Sequence, residues 1–181
     1  MTIEIVKVKV RPLSREAMKP YGDILDEDHP ILPTVDPGEG AVAFEINTLQ
    51  RNGNIRDSLE RMAIHGSYTQ SFVILSGTII MVFAPAPANM HGRHEDLDFD
   101  WDNLGAFIMG PGDFCHIDRG VWHGALVTSG SCRFINVTRK NPGEGTTIDE
   151  DKLKDITTAN RPYIEWVNVT ERDGKRIALE L

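Results

Sequence analysis

The strongest constraint on this chain is a rhythm of short strands, each closed by turn residues. Residues 6–10 read Val-Lys-Val-Lys-Val, the period-two pattern of a half-buried strand. Residues 41–49 set Val42, Phe44 and Ile46 on one face. Residues 70–75 and 78–84 are apolar or β-branched and are split by Ser76-Gly77. Residues 123–128 and 132–138 flank Ser129-Gly130-Ser131 and read as a hairpin. With edge strands at 163–169 and 177–181, the count reaches about nine or ten short strands, which points to an all-β sandwich or barrel.

Helix is confined to short pieces. Ser14 caps a turn running to Lys19, where Pro20 stops it, and 149–156 reads as a short acidic helix. Residues 26–40 and 85–103 are polar connections, and 26–40 is expected to be an exposed loop. Asn52-Gly53 favours a type I′ turn and predicts a hairpin after 41–49. Residues 55–64 keep two readings: Leu59, Met62 and Ala63 have helical spacing, while their place between strands favours an extended segment.

The rest is organised around residues 104–126, which read strand, turn, strand, turn, strand. Gly110-Pro111-Gly112-Asp113 is turn chemistry, since Pro sets φ and glycine supplies positive φ. Arg119-Gly120 turns the chain again, and Val121-Trp122-His123 opens the third strand. His116 and Asp118 alternate, so they share one side. If that side is the interior, they converge with His123; if it is the exterior, they are solvated.

Composition narrows the partners. The formal net charge is -8, which argues against nucleic acid or an anionic membrane surface. A small anionic substrate remains compatible, because local positive groups outweigh net charge inside a pocket. No apolar run approaches the roughly 20 residues that span a bilayer, and the N-terminus lacks a signal peptide's apolar segment. Cys115 and Cys132 read as buried thiols in strands, which fits a reducing cytoplasm. His91 and His94 have a metal-compatible spacing, but they sit in a polar loop without neighbouring ligands and read as surface.

Gly110-Pro111-Gly112-Asp113, then Ile117, Gly120 and His123, resembles the second motif of the cupin barrels. A longer match is to the ureidoglycolate lyase family, also called ureidoglycolate hydrolases. Leu13-Ser14, Ala17 and Tyr21-Gly22-Asp23 resemble its N-terminal block. His65, Thr69-Gln70 and Phe72 resemble its HPxGTQAF block, and Ala106-Phe107, Arg119 and Val121-Trp122-His123 resemble its RxVWH block. The chain departs from the family at Ala63-Ile64, Gly66, Asp118, Gly124 and Ala125.

The resemblance implies an all-β cupin-type jelly-roll barrel in a single domain over 1–181, with a core at about 40–138 and an extension over 139–181. It implies a strand leading into His65. It implies conversion of ureidoglycolate to glyoxylate and urea. In that reading His123 and His65, with Asp118 if it faces inward, are acid–base groups. Thr69, Gln70, Arg119, His116 and Trp122 contact the substrate, and Arg119 pairs with its carboxylate. His65, Gln70 and His123 would form the ligand set if a divalent transition metal binds. Cupins often pair through sheet edges, which implies a homodimer. Two alternatives stand: a cupin isomerase or metal-dependent lyase on another small carboxylate or sugar acid, and a small-molecule-binding cupin without turnover.

Overall fold

Alternating side chains sort this chain into two sheets. The structure, a computed structural model, describes residues 2–38, 40–51, 58–90, 96–128, 130–140 and 165–181. The Asn52-Gly53 turn, His91, His94 and the 149–156 helix lie outside these residues. The elements are β1 (Glu4–Pro12), α1 (Arg15–Met18), β2 (Gly22–Asp23), β3 (Ala41–Gln50), β4 (Ser58–Leu59) and β5 (Arg61–Ile64). They continue with β6 (Gln70–Ser76), β7 (Ile79–Ala84), β8 (Gly105–Met109), β9 (Phe114–Ile117), β10 (Trp122–Val127) and β11 (Ser131–Lys140). The chain then adds β12 (Glu165–Asn168), α2 (Val169–Asp173) and β13 (Lys175–Glu180). One sheet has the order β12-β5-β10-β7-β8-β1-β13-β4 and the other β2-β9-β6-β11-β3. Together they form the cupin-type jelly-roll barrel.

Several expected hairpins are crossings between sheets. β8 pairs with β7 and β1, β9 with β6 and β2, and β10 with β7 and β5. The stretch 104–126 therefore passes from the larger sheet to the smaller and back. β10 and β11 also lie in different sheets, and β3 pairs with β11 instead of the strand that follows it. The physical reason is that Gly, Pro and Asn reverse or redirect the chain equally well; which strand it then pairs with is a long-range choice. Residues 58–64 are extended, as β4 and β5. Ser14 caps α1, its Oγ accepting the Ala17 N–H at 3.3 Å. The tail from Glu165 is woven into the larger sheet, since β12 pairs with β5 and β13 with β1 and β4.

β7 shows how the alternation works. Ile79, Met81 and Phe83 join Phe107, Met109, Phe72, Ile74, Cys115, Ile117, Cys132 and Phe134 in one buried cluster. Ile80, Val82 and Ala84 join Trp122, Met62, Leu97, Phe99, Val169 and Ile177 in a second. The first cluster holds the inward faces of both sheets. The second lies on the other face of the larger sheet.

Candidate functional site

The inward columns do not stay apolar. On β10, His123 precedes Ala125 and Val127, which pack against the first cluster. On β6, Gln70 precedes Phe72 and Ile74, and the register sets Gln70 and Phe72 opposite Ile117 and Cys115. On β11, Cys132 and Phe134 give way to Asn136 and Thr138. Each strand thus contributes polar side chains at the same end of the barrel. His65, on the turn between β5 and β6, completes the group.

The geometry is close. The His65 and His123 rings lie 4.9 Å apart, centroid to centroid, and His65 stacks on Tyr68 at 4.5 Å. His123 also meets Phe72 at 6.5 Å, edge to face. His65 Nε2 is 3.1 Å from Gln70 Oε1, and Gln70 Nε2 donates to Asn136 Oδ1 at 2.8 Å. Because an amide oxygen only accepts, His65 carries its hydrogen on Nε2. His123 Nδ1 lies 3.1 Å from the Val121 carbonyl oxygen, so Nδ1 donates and Nε2 keeps a lone pair.

Burial governs the charges. It pushes the His123 imidazole down to about 4, against a smaller upward pull from the Val121 carbonyl, so the ring is neutral at pH 7. Burial raises the Tyr68 phenol, opposed by its hydrogen bond with Thr138. The Arg139 guanidinium is buried and sits 5.6 Å from the Tyr68 ring centroid, a cation over an aromatic face.

The expected residues divide. His65, Gln70 and His123 come together. His116 and Asp118 lie on the side away from them: Cys115 and Ile117 take the inward positions, and His116 turns outward to Ser71, with Nδ1 and Oγ 2.8 Å apart. Burial lowers its pKa, while Asp118 and Asp23 pull it upward. Asp118 is exposed, so neither residue belongs to the interior site. Trp122 is also corrected. One residue from His123 means the opposite face, where its indole N–H donates to the Asp98 carbonyl at 3.0 Å and its ring packs on Phe99.

Arg119 is committed elsewhere as well. It pairs with Asp36, and its Nε donates to Thr34 Oγ1 at 3.3 Å. Thr69 Oγ1 accepts the Thr34 N–H at 2.9 Å, its own N–H donates to the Thr34 carbonyl, and the Asp36 N–H donates to Ser67. Residues 34–36, expected in an exposed loop, are therefore a strap over the 67–69 turn, with Val35 bridged to Tyr68. Arg119 and Thr69 fasten that strap. Sequence reading missed Tyr68, Asn136, Thr138 and Arg139. Asn136 carried a signal, since Cys132, Phe134, Asn136 and Thr138 form one alternating column whose apolar character breaks at Asn136.

The fit of a metal follows from the donors. Two imidazoles and a neutral amide contain no carboxylate or thiolate, and two of the three are hydrogen-bonded to each other. Among the described residues no group of three His, Cys, Asp or Glu could hold a metal ion. The expected set His65, Gln70 and His123 does not suit a divalent transition metal. The departure at Gly124 has a packing cause, since a Cβ there would lie 2.9 Å from Met62 Sδ.

Comparison with known proteins agrees with this architecture. The sequence profile described as ureidoglycolate lyase matches residues 45–159, more than half of the chain. A ureidoglycolate lyase of Mesorhizobium japonicum is 25% identical, covering 81% of this chain and 93% of its own. Ureidoglycolate lyase 2 of Rhizobium meliloti is 23% identical with the same coverage. The ureidoglycolate lyase of Rhodobacter capsulatus is 26% identical over 76% of this chain and 89% of its own. A jelly roll with a buried imidazole pair and a profile match across most of its strands make the chain a member of the ureidoglycolate lyase family.

Proposed function

We propose that the protein is a lyase splitting ureidoglycolate into glyoxylate and urea, with His123 as the proton shuttle. The observation that carries the reading is the His65–His123 pair in the barrel interior, with the His123 Nδ1 hydrogen committed to Val121. Family membership supplies the substrate. In ureidoglycolate one carbon bears a hydroxyl, a carboxylate and a ureido nitrogen. His123 Nε2 takes the hydroxyl proton, the C–O bond becomes C=O, and the C–N electron pair leaves on nitrogen. His123 returns the proton to that nitrogen, releasing glyoxylate and urea with no redox change. A neutral imidazole can accept the proton at pH 7, and its low pKa makes the resulting imidazolium a strong acid for the return. His65, hydrogen-bonded through Nε2 to Gln70, stands beside His123 in the same interior. Arg139, buried, lies over the Tyr68 ring at the same end of the barrel.

The test is turnover of ureidoglycolate, with glyoxylate followed by a coupled reduction, before and after chelation. Expected are steady turnover and no loss with chelator. Loss on chelation and recovery on refilling with a divalent ion would replace the acid–base reading with a metal-dependent one. Micromolar binding without turnover across related acids would replace the enzyme with a binding protein.

A homodimer is part of the same proposal. β3 is an edge strand, and Val42, Phe44 and Ile46 are 40%, 73% and 58% exposed on one face. A long apolar edge is a template for a second copy. Light scattering should give a dimer, and Phe44→Glu a monomer; a dimer that survives Phe44→Glu refutes this surface. Buried free thiols at Cys115 and Cys132 support a reducing cytoplasm as its compartment.

A further inference from the structure

One aromatic ring on the inward face has no part in the chemistry above. β12 runs antiparallel to β5, and the register sets Trp166 opposite Ala63. β10 flanks β5 on its other side, and the register there sets His123 opposite the same Ala63. Residues directly opposite in antiparallel strands share one face of the sheet. Trp166, Ala63 and His123 therefore form one row, and His123 fixes that row as inward. The next row agrees: Val167 lies opposite Met62, and both belong to the packing on the outer face.

Spacing brings this ring within range of the imidazole pair. Adjacent strands lie roughly 5 Å apart, so Trp166 stands roughly 10 Å from His123 along the row. The residue between them is alanine, which leaves the interval without a long side chain of its own. His65 lies two residues beyond Ala63, one past the end of β5, which makes it the diagonal neighbour of Trp166. Such neighbours are roughly 7–8 Å apart and within reach of a large ring. The larger sheet curls into the barrel, so its inward side chains converge. Trp166 sits on the edge strand and is 37% exposed, whereas Trp122, on the opposite face, is fully buried. A half-open indole beside two imidazoles offers a flat surface to a small ligand. The face of an aromatic ring is electron-rich, so it disfavours a carboxylate and accepts a neutral planar group.

We propose that Trp166 is a specificity-determining residue whose indole stacks on the planar ureido group of the substrate, over Ala63, and turns the carboxylate away from β12. The assignment rests on the lyase reading of the same interior. It predicts that the ureido group, and not the hydroxy-acid end, is what Trp166 recognises.

Two unreactive probes separate those ends. N-carbamoylglycine is ureidoglycolate without its hydroxyl, so it keeps the ureido group and cannot be split. Glycolate keeps the hydroxyl and carboxylate and lacks the ureido group. In wild-type protein N-carbamoylglycine should shift the Trp166 indole N–H resonance, assigned by its absence in Trp166→Phe, and glycolate should not. Trp166→Leu keeps an apolar side chain without the ring, and should weaken N-carbamoylglycine about tenfold while changing glycolate less than twofold. Trp166→Phe should retain most of the affinity. For ureidoglycolate, Trp166→Leu should raise KM and leave kcat close to wild type, because stacking acts on substrate and transition state alike. Equal weakening of both probes would give the indole a packing role and overturn the proposal. So would an unmoved Trp166 resonance, or no binding of N-carbamoylglycine at millimolar concentration. The resonance shift decides the matter if Trp166→Leu does not fold. Failure of the lyase reading would appear separately, as ureido-selective binding in a protein that does not turn over ureidoglycolate.

Discussion

The two ends of one barrel solve opposite problems with the same strands. At one end the inward residues are Ile74, Ile79, Met81, Phe107, Met109, Cys132 and Phe134, all buried and apolar. At the other, the same columns carry His123, Gln70, Asn136 and Thr138, with His65 and Tyr68 on the adjoining turn. The apolar end gains from area removed from water and needs no particular partner. The polar end loses solvation on burial and recovers it only through specific contacts, here the His65–Gln70–Asn136 line and the His123–Val121 bond. The apolar end is therefore expected to tolerate exchange of like for like and to punish lost volume. The polar end should punish lost chemistry and tolerate little else.

The largest effect should come from emptying the apolar end. Phe107→Ala removes a fully buried ring and should cost about 3–5 kcal/mol in denaturant unfolding. Turnover per folded molecule at low temperature should stay near wild type. A parallel collapse of turnover in molecules that remain folded would mean the two ends are not separable.

Acid should act on the polar end. The His123 pKa is about 4 in the folded protein and about 6.5 when unfolded. Between these values the unfolded chain holds the extra proton, so stability falls as pH drops from 6.5 to 4 and is fully present above 6.5. The loss attributable to this ring is about 3 kcal/mol. Unfolding curves across that window should show it in wild type, and His123→Asn should flatten the curve. Equal acid loss in both proteins would assign the effect to other groups.

Chemistry and packing part most sharply at neighbouring residues. His123→Asn should leave the circular dichroism spectrum intact and reduce turnover about a hundredfold or more, because an amide cannot shuttle a proton. Trp122→Phe, one position earlier, should weaken folding through its lost bond to Asp98 and barely alter turnover. A variant pair with the opposite pattern would reverse the assignment of faces on β10.

The smallest effect concerns the strap. Thr69→Val removes the acceptor for the Thr34 N–H and should cost about 1 kcal/mol in thermal unfolding. The Michaelis constant should rise more than kcat falls, since the strap lies over the turn that carries Tyr68. An unchanged Michaelis constant would reduce the strap to a stabilising contact.

Period-two alternation in the sequence predicted the strands and told which residues share a side. It placed His116 and Asp118 together, correctly, and left open which side that was. The β9–β6 register decides it, because Cys115 faces Phe72 and thereby turns His116 to Ser71. The blocks around His65 and His123 also marked the two imidazoles that meet. Arg119 was expected to pair with a substrate carboxylate because nothing in the local sequence shows that Asp36, far along the chain, lies beside it.

What the sequence determined by itself is local: strand periodicity, turn positions, the Ser14 cap, and a family whose imidazoles lie at His65 and His123. Those features depend on residues a few positions apart, where spacing dictates geometry. Only the tertiary structure decided which sheet each strand joins, which face of β9 looks inward, and that Asn136 stands behind Gln70. These depend on pairings between residues distant in the chain, such as Gln70 with Asn136, which the same turns and strands would permit in many other registers.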